Sequence, residues 1–193
     1  METHNVADLP PSLLLPDEEP IIVALSAGLR LCIDLGTYRG RSAALMAHGA
    51  LRIVTIDLFQ AGYQRDPPIE ADTEEGNADY EEVRHYFATR FPNVEVRQGI
   101  TWEEAEIFPH KCADLIFVDG SHDYDSLQKD YVAWCKVLKL GGVFLFHDYN
   151  DHPDHRDVVR FIDELRANCI QLAWMPLIGQ SGSLAAFRKV YEY

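Results

Sequence analysis

Two groups of residues in this chain have types and spacing that could carry chemistry. The first is the segment DLGTYRGRS, which runs from Asp34 to Ser42. Its glycines, Gly36 and Gly40, allow the backbone to approach a ligand closely and to turn into a helix, whose first amides favour a carboxylate or a phosphate. Asp57 lies 23 residues after Asp34, where a carboxylate can accept hydrogen bonds from both hydroxyls of a ribose. The pattern predicts a site for a ligand that contains a ribose; a tight turn with a solvated aspartate is the alternative.

The same segment departs from two common nucleotide-binding motifs. The dinucleotide pattern GxGxxG is absent because Tyr38 stands at the position of the second glycine, and the P-loop pattern is absent as well. An oxidoreductase that uses NAD is therefore disfavoured, although it stays an alternative.

The second group of residues lies at the ends of two later apolar runs. Asp119 directly follows one run, and the pair His147 and Asp148 ends another. If these runs are adjacent parallel strands, the carboxylates of Asp119 and Asp148 meet at one edge of the sheet and can share a hard cation. Oxygen ligands of this kind suit Mg²⁺ or Ca²⁺.

An alternation of strands and helices must position these residues. Short apolar runs alternate along the chain with segments of helical periodicity, which is typical of a parallel α/β sheet. In such a sheet, ligands bind outside the carboxyl ends of the strands, where the polar residues of both groups fall. The predicted strands cover residues 29–35, 52–59, 94–98, 113–118 and 143–147, followed by an antiparallel edge hairpin of residues 171–177 and 183–190.

Composition and charge argue against a nucleic-acid-binding protein and against a membrane-spanning one. Lys and Arg number 17 and Asp and Glu number 31, so the formal net charge is −14, which repels phosphate backbones and anionic bilayers. We therefore expect no nucleic acid partner, and no apolar run is long enough to span a membrane. Four widely spaced cysteines without a CxxC pair indicate free thiols in a reducing cytoplasm.

The proline-rich start of the chain predicts a loosely ordered arm over residues 1–20, followed by one domain over residues 21–193. The long acidic stretch 60–78 is expected to form a lid over the site, with a disordered surface segment as the alternative.

The two sequence segments around Asp34 and Asp57 resemble those of a known family. DLGTYRGRS resembles motif I of the class I S-adenosylmethionine-dependent methyltransferases, and TIDLF resembles their second motif. The resemblance is closest to small metal-dependent O-methyltransferases of the macrocin and mycinamicin type, and more distant to the catechol type. It covers residues 25–190 and implies a Rossmann-like, doubly wound, mostly parallel α/β sheet of seven strands with an antiparallel last strand.

This resemblance implies which residues bind the cofactor S-adenosylmethionine. Asp34 and residues 36–40 would line the methionine moiety, Asp57 would hold the ribose, and residues 98–100 would lie near the adenine. Many members carry an acid directly after the third strand, whereas this chain has Gly99 and Ile100. The complete implied set is Asp34, Gly36, Thr37, Tyr38, Gly40, Ser42, Asp57, Leu58, Gln98, Gly99, Ile100 and Asp119.

The resemblance also implies a metal site and a general base. In the family, an acid on the fourth strand and two polar residues 28 and 29 positions later bind the metal, and Asp119, His147 and Asp148 reproduce that spacing. His147 replaces an acid and favours Mn²⁺, Fe²⁺ or Zn²⁺ over Mg²⁺; a position outside the metal shell, or no metal at all, are the alternatives. His122 stands at the position of the family's general base, where a near-neutral pKa suits removal of a hydroxyl proton, although a histidine in such a loop also often caps a helix.

These features predict an enzyme that transfers a methyl group from S-adenosylmethionine to a hydroxyl of a small molecule, with Mg²⁺ or Mn²⁺ as the candidate metal. The acidic rim suits a neutral or cationic acceptor, and sugar, polyketide and catechol acceptors are all compatible. A non-catalytic module that binds the cofactor or a nucleoside is the alternative. The family often forms dimers through N-terminal arms, which makes a homodimer a further expectation.

Overall fold

The computed structural model describes residues 9–59, 79–177 and 182–192, in which helices alternate with strands. Short 3₁₀ helices cover Ala105–Ile107 and Pro153–His155. The α-helices are α1 (Glu19–Ser26), α2 (Arg41–Ala47), α3 (Tyr80–Arg90), α4 (Thr101–Glu104), α5 (Tyr124–Val137) and α6 (Arg156–Asn168). The strands are β1 (Cys32–Leu35), β2 (Ile53–Asp57), β3 (Val94–Gln98), β4 (Ala113–Val118), β5 (Leu138–Phe146), β6 (Leu172–Met175) and β7 (Ala185–Lys189).

The seven strands form one sheet in the order β3-β2-β1-β4-β5-β7-β6. Strands β1 to β5 are parallel, whereas β7 runs antiparallel to both β5 and β6. Leu35 pairs with Ile56 on one side and Val118 on the other, so β1 to β5 end at the same edge. The chain order reverses between β1 and β4, and this is the place where open sheets of this kind bind ligands.

Alternating strand residues pack on opposite faces of the sheet, and helices cover both faces. In β4, Ile116 packs with residues of α5 and α6, whereas Leu115 and Phe117 pack with residues of α1, α2 and α3. Because both faces are covered, every residue of β1 and β4 is buried and these strands read as continuous apolar runs rather than alternating ones. The rigid layers fix the positions of the loops at the strand ends.

Several element bounds differ from the sequence prediction for local reasons. The first strand begins at Cys32 rather than residue 29, since the amides of Arg30 and Leu31 donate to Asp114 Oδ2. The fifth strand begins at Leu138 rather than residue 143, because Leu138 already pairs with Ala113 before the register shifts. The predicted edge hairpin is confirmed as β6 and β7.

The N-terminal segment is more closely packed than its proline content predicts. Leu9 and Glu18 are buried, and the expected domain boundary at residue 20 falls inside α1, whose Ile22 is fully buried. The predicted lid at 60–78 lies outside the described residues. Among the helices described, none combines the length and apolarity that crossing a membrane requires.

Candidate active site

A cavity of about 580 Å³ lies at the carboxyl edge of the sheet, between the loops that follow the strands. Residues 12–15 of the N-terminal segment form part of its wall. The predicted cofactor-binding residues that line it are Gly36, Thr37, Tyr38, Ser42, Asp57, Leu58, Ile100 and Asp119. The predicted base and the other metal ligands, His122, His147 and Asp148, line the same cavity. Asp34, Gly40, Gln98 and Gly99 do not line it.

The loop after β1 depends on backbone conformations that glycine permits. Gly36 has a φ of 100°, and a Cβ at this position would overlap the backbone carbonyl of Asp119. Gly40 has a φ of 91° and begins α2 against the ring of Phe87. Tyr38 also has a positive φ, 48°, and its amide donates to Asp57 Oδ2 at 2.9 Å. The glycine spacing thus sets a turn that joins the ends of β1, β2 and β4.

Asp34 lies behind this loop, fully buried, rather than on the cavity wall. Its Oδ2 accepts hydrogen bonds from Thr55 Oγ1 at 2.6 Å and Ser42 Oγ at 3.1 Å, which ties β1 to β2 and α2. Burial raises the pKa of Asp34 to about 7, against the opposing effect of these two hydrogen bonds. The structure therefore assigns Asp34 a part in holding the loop; direct contact with a cofactor stays a prediction.

The carboxylate of Asp57 is oriented by two backbone amides. Oδ2 accepts from Tyr38, and Oδ1 accepts from Phe59 at 3.0 Å. Gln98 lies outside the cavity and contacts the same loop, since its Nε2 donates a hydrogen bond to the Leu58 carbonyl at 3.1 Å. Residues 100–102 line the cavity beyond this point, and they include the large side chain of Trp102.

The second group of residues converges on the ring of His147, which is 7% exposed. Its Nδ1 lies 3.0 Å from Asp119 Oδ1 and 3.2 Å from Asp148 Oδ2. Its Nε2 lies 3.0 Å from Glu18 Oε2. Three carboxylates therefore surround one imidazole. Burial lowers the pKa of His147, but the negative charges of these carboxylates, with the hydrogen bond to Glu18, outweigh burial and raise it to about 12.

His122 approaches the same cluster from the loop after β4. Its Nε2 lies 2.7 Å from Asp148 Oδ2, while its Nδ1 is buried without a hydrogen-bond partner among the described residues. Burial acts to raise the pKa of Asp148, but the hydrogen bond from His122 and the positive charge of His147 hold it well below its ordinary value. Asp148 adopts a left-handed backbone, with a φ of 63°, and so turns its carboxylate between the two histidines.

The arrangement fits a divalent cation. The ligand atoms of Asp119, His147 and Asp148 all lie within 4.8 Å of one another. His147 Nδ1 is close to two carboxylate oxygens, yet among the described residues neither is aligned to accept a hydrogen bond from it. A cation held by one ring nitrogen and two carboxylates would displace the proton that the raised pKa keeps on this buried nitrogen, and such a mixed donor set suits Mn²⁺ or Zn²⁺ better than Mg²⁺.

Two residues of the cluster, Glu18 and His155, were not among the site residues predicted from the sequence. Glu18 comes from the N-terminal segment, 129 positions from His147, and no local pattern links the two. His155 packs edge-on against His122, with ring centroids 4.8 Å apart, and together with Asp148 these two histidines form a second group able to hold a metal. From the sequence, the spacing of His147, His152 and His155 matches no established zinc pattern, and the surrounding aspartates favour a solvated helix start.

The chain matches a known family across this site. A family model described as a methyltransferase domain matches residues 33–149, which is more than half of the chain and includes β1 to β5. The chain therefore belongs to this family of methyltransferase domains. The match confirms the resemblance to class I S-adenosylmethionine-dependent methyltransferases, whereas the metal-dependent O-methyltransferase type stays a prediction.

A curated relative shows similar coverage. The uncharacterized protein R132 of Acanthamoeba polyphaga mimivirus is 25% identical over 143 residues, which are 70% of this chain and 59% of that protein. The chain thus spans less than two thirds of the length of this relative.

Solved structures share the fold at low sequence identity. The O-methyltransferase NovP is 18% identical with a TM-score of 0.67, over 91% of this chain and 80% of that chain. Cofactor-bound Rv0187 from MTB is 18% identical with a TM-score of 0.64, over 95% of this chain and 84% of that chain. At this identity the likeness concerns the fold, and it confirms the predicted doubly wound sheet with its antiparallel last strand.

Proposed function

We propose that the protein transfers the methyl group of S-adenosylmethionine to a hydroxyl group of a small molecule. The observation that carries the proposal is that one cavity contains both a place for the cofactor and a place for the acceptor, which we call the cofactor half and the acceptor half. The turn with Gly36 and the oriented Asp57 carboxylate form the cofactor half, and His122 with the carboxylates of Asp119 and Asp148 forms the acceptor half.

The cofactor half suits a nucleoside with a cationic sulfonium. Each oxygen of Asp57 accepts one backbone amide and retains a lone pair for a ribose hydroxyl. Leu58, Ile100 and Trp102 supply apolar wall beside it, as an adenine ring requires. The carboxylates along the cavity attract a positive sulfur and disfavour an anionic ligand.

His122 is the group that would accept the proton of the acceptor hydroxyl. Asp148 accepts a hydrogen bond from Nε2–H, which leaves the lone pair on Nδ1. As the oxygen forms its bond to the methyl carbon, the carbon–sulfur bond breaks, its electron pair stays on sulfur, and the sulfonium becomes a neutral thioether. The proton ends on His122 Nδ1 once the ring has moved to expose this buried nitrogen to the hydroxyl, and positioning of the two reactants supplies much of the rate.

Asp119, His147 and Asp148 would hold a divalent cation. When bound, such a cation supplies an attachment point for the acceptor oxygen and lowers the pKa of its hydroxyl.

The acceptor is proposed to be small and neutral or cationic. Leu13, Leu14 and Leu15 line the cavity, so an apolar portion of the acceptor can pack against the N-terminal segment. The acidic lining disfavours phosphorylated acceptors because like charges repel within a partly desolvated site.

Calorimetric titration of S-adenosylmethionine and S-adenosylhomocysteine tests the cofactor half. We expect micromolar binding of both to the wild-type protein and loss of binding in Asp57→Ala. A screen of hydroxylated acceptors, with detection of S-adenosylhomocysteine, then tests transfer. No binding would overturn the proposal. Binding without turnover of any acceptor, and unchanged in His122→Ala, would favour a non-catalytic module.

A further inference from the structure

Glu18 is a fully buried carboxylate that lies behind the metal-binding cluster and outside the cavity. Its Oε2 accepts the Leu15 amide at 2.8 Å and lies 3.0 Å from His147 Nε2. Its Oε1 accepts the Ser183 amide at 2.6 Å and the Ser183 hydroxyl at 3.0 Å. A carboxylate in such a setting is surrounded by donors, so it acts as an acceptor toward each neighbour.

The hydrogen-bond directions around Glu18 determine which ring nitrogen of His147 can bind a cation. Because Glu18 accepts, the ring carries a proton on Nε2, and Nδ1 is the nitrogen that faces Asp119 and Asp148.

The same carboxylate reaches the backbone of the neighbouring ligand through Ser183. The amide of Asp148 donates to Ser183 Oγ at 3.2 Å, and the single hydroxyl hydrogen of Ser183 goes to Glu18 Oε1. Asp148 has a φ of 63°, a conformation that a non-glycine residue keeps only where its surroundings hold it. Glu18 therefore restrains both the ring of His147 and the backbone of Asp148.

We propose that Glu18 is a positioning residue for the metal: it fixes His147 in the Nε2-protonated form and presents Nδ1 to a divalent cation. The inference rests on the proposed metal site and extends it to a residue of the N-terminal segment. A carboxylate that accepts the second N–H of a metal-binding histidine orients the ring and makes it a better ligand, and loss of such a partner costs about 10- to 100-fold in metal affinity.

Mn²⁺ binding to the purified protein, followed by electron paramagnetic resonance of the free ion, tests the proposal without any acceptor. We expect Glu18→Gln to weaken Mn²⁺ binding by about 10- to 100-fold. The matched control is Glu19→Gln, the same substitution at the neighbouring residue. It removes an ion pair with Arg41 of α2 and should leave the Mn²⁺ affinity unchanged.

The outcomes separate this inference from the proposed function. If the wild-type protein binds no Mn²⁺, the proposed metal site is wrong and Glu18 has no cation to serve. If the wild-type protein binds Mn²⁺ and Glu18→Gln binds it equally well, the metal site stands and the inference fails.

A second measurement needs no variant and covers the case in which Glu18→Gln does not fold. In wild-type protein labelled with ¹⁵N-histidine and loaded with Zn²⁺, the nitrogen shifts and couplings report which ring nitrogen carries the proton. We expect His147 to carry it on Nε2. A proton on Nδ1 would overturn the inference, since Glu18 would then accept no hydrogen bond from the ring.

Discussion

The chemistry proposed for His122 depends on which of its nitrogens Asp148 engages. The 2.7 Å contact involves Nε2, so Nδ1 carries the lone pair that accepts the proton once the ring moves to expose this buried nitrogen. The spacing of three residues after Asp119 indicated a base at this position, but it carried no information about which atom would act. That choice follows from the left-handed backbone of Asp148, which aims its carboxylate at the ring.

His122→Asn should lower the rate of methyl transfer by about 10²- to 10⁴-fold, because a general base typically contributes this much. The affinity for S-adenosylhomocysteine should stay unchanged, since the residue lies in the acceptor half of the cavity. Single-turnover kinetics and calorimetry measure the two quantities.

The control for this substitution is His152→Asn. The side chain of His152 is 58% exposed, and its loss should leave the transfer rate at the wild-type value. An equal loss in both variants would indicate a general effect of the loop rather than proton transfer at His122.

Among the elements, the turn between β1 and α2 has the strictest packing requirement. Gly36→Ala should place a methyl group against the carbonyl of Asp119 at a φ of 100°, so the turn must move. We expect a loss of about 1–3 kcal/mol in the free energy of unfolding and weaker binding of S-adenosylhomocysteine. Urea denaturation and calorimetry provide the measurements.

Gly141→Ala isolates the backbone term of this prediction. Gly141 has a φ of 82°, but nothing lies within 4 Å of a Cβ built there. The Gly141→Ala variant should therefore lose less free energy of unfolding than Gly36→Ala and should keep the cofactor affinity of the wild-type protein. If both variants lost affinity alike, close approach of the backbone at Gly36 would not explain the effect.

Helix α5 contains a buried acid that makes stability depend on pH. Asp130 is 3% exposed, and burial, reinforced by the charge of Asp123, raises its pKa to about 7 although a hydrogen bond from Thr101 opposes this. The native state therefore binds this proton more tightly than the unfolded chain. The contribution to stability is full below about pH 4, the ordinary pKa of aspartate, and is lost as the pH rises to about 7.

Asp130→Asn should remove this dependence and stabilise the protein at pH 8 by about 1–4 kcal/mol, since one pKa unit corresponds to about 1.4 kcal/mol. The gain should shrink as the pH approaches 4. Urea denaturation from pH 4 to pH 8 measures it, with the exposed Asp125→Asn on the same helix as the control. A gain that did not vary with pH would contradict the assignment.

For the molecule as a whole, the N-terminal segment connects the first helix to the active site. Glu18 packs behind the cluster, whereas Leu13 lines the cavity and is 79% exposed. Such an exposed side chain contributes little to folding but can pack against a bound acceptor. Leu13→Ser should raise the KM for the acceptor by about 3- to 10-fold, less than full burial of a leucine is worth.

Cofactor affinity and stability should stay unchanged in Leu13→Ser. Steady-state kinetics measures KM, and Leu51→Ser serves as the control, because Leu51 is 70% exposed and does not line the cavity. An unchanged KM in Leu13→Ser would remove the N-terminal segment from the acceptor site.

Much of the fold and half of the site could be predicted from the sequence. The alternation of apolar runs with helical periodicity is a local property, and it led to the strand that ends at Asp57 and to the strands directly followed by Asp119 and His147. Bounds were less accurate where a tertiary contact decided them, as at Leu138, whose pairing with Ala113 extends the fifth strand. The family resemblance placed Gln98 and Asp34 beside the cofactor; their side chains bond to the Leu58 carbonyl and to Thr55, and contact with the cofactor stays a prediction.

The class of fold, the turn after β1 and the places of Asp57, Asp119, His122 and Asp148 at strand ends could be inferred from the sequence, because strand ends and glycine spacing are encoded over a few neighbouring residues. The contacts of Glu18 with His147 and Ser183, which lie 129 and 165 positions away, are visible in the folded chain alone. Such contacts depend on how complete elements pack against one another, and no local spacing records them. The same packing places Nε2 of His122 against Asp148 and Nε2 of His147 against Glu18, and so leaves Nδ1 of each ring for a proton or a cation.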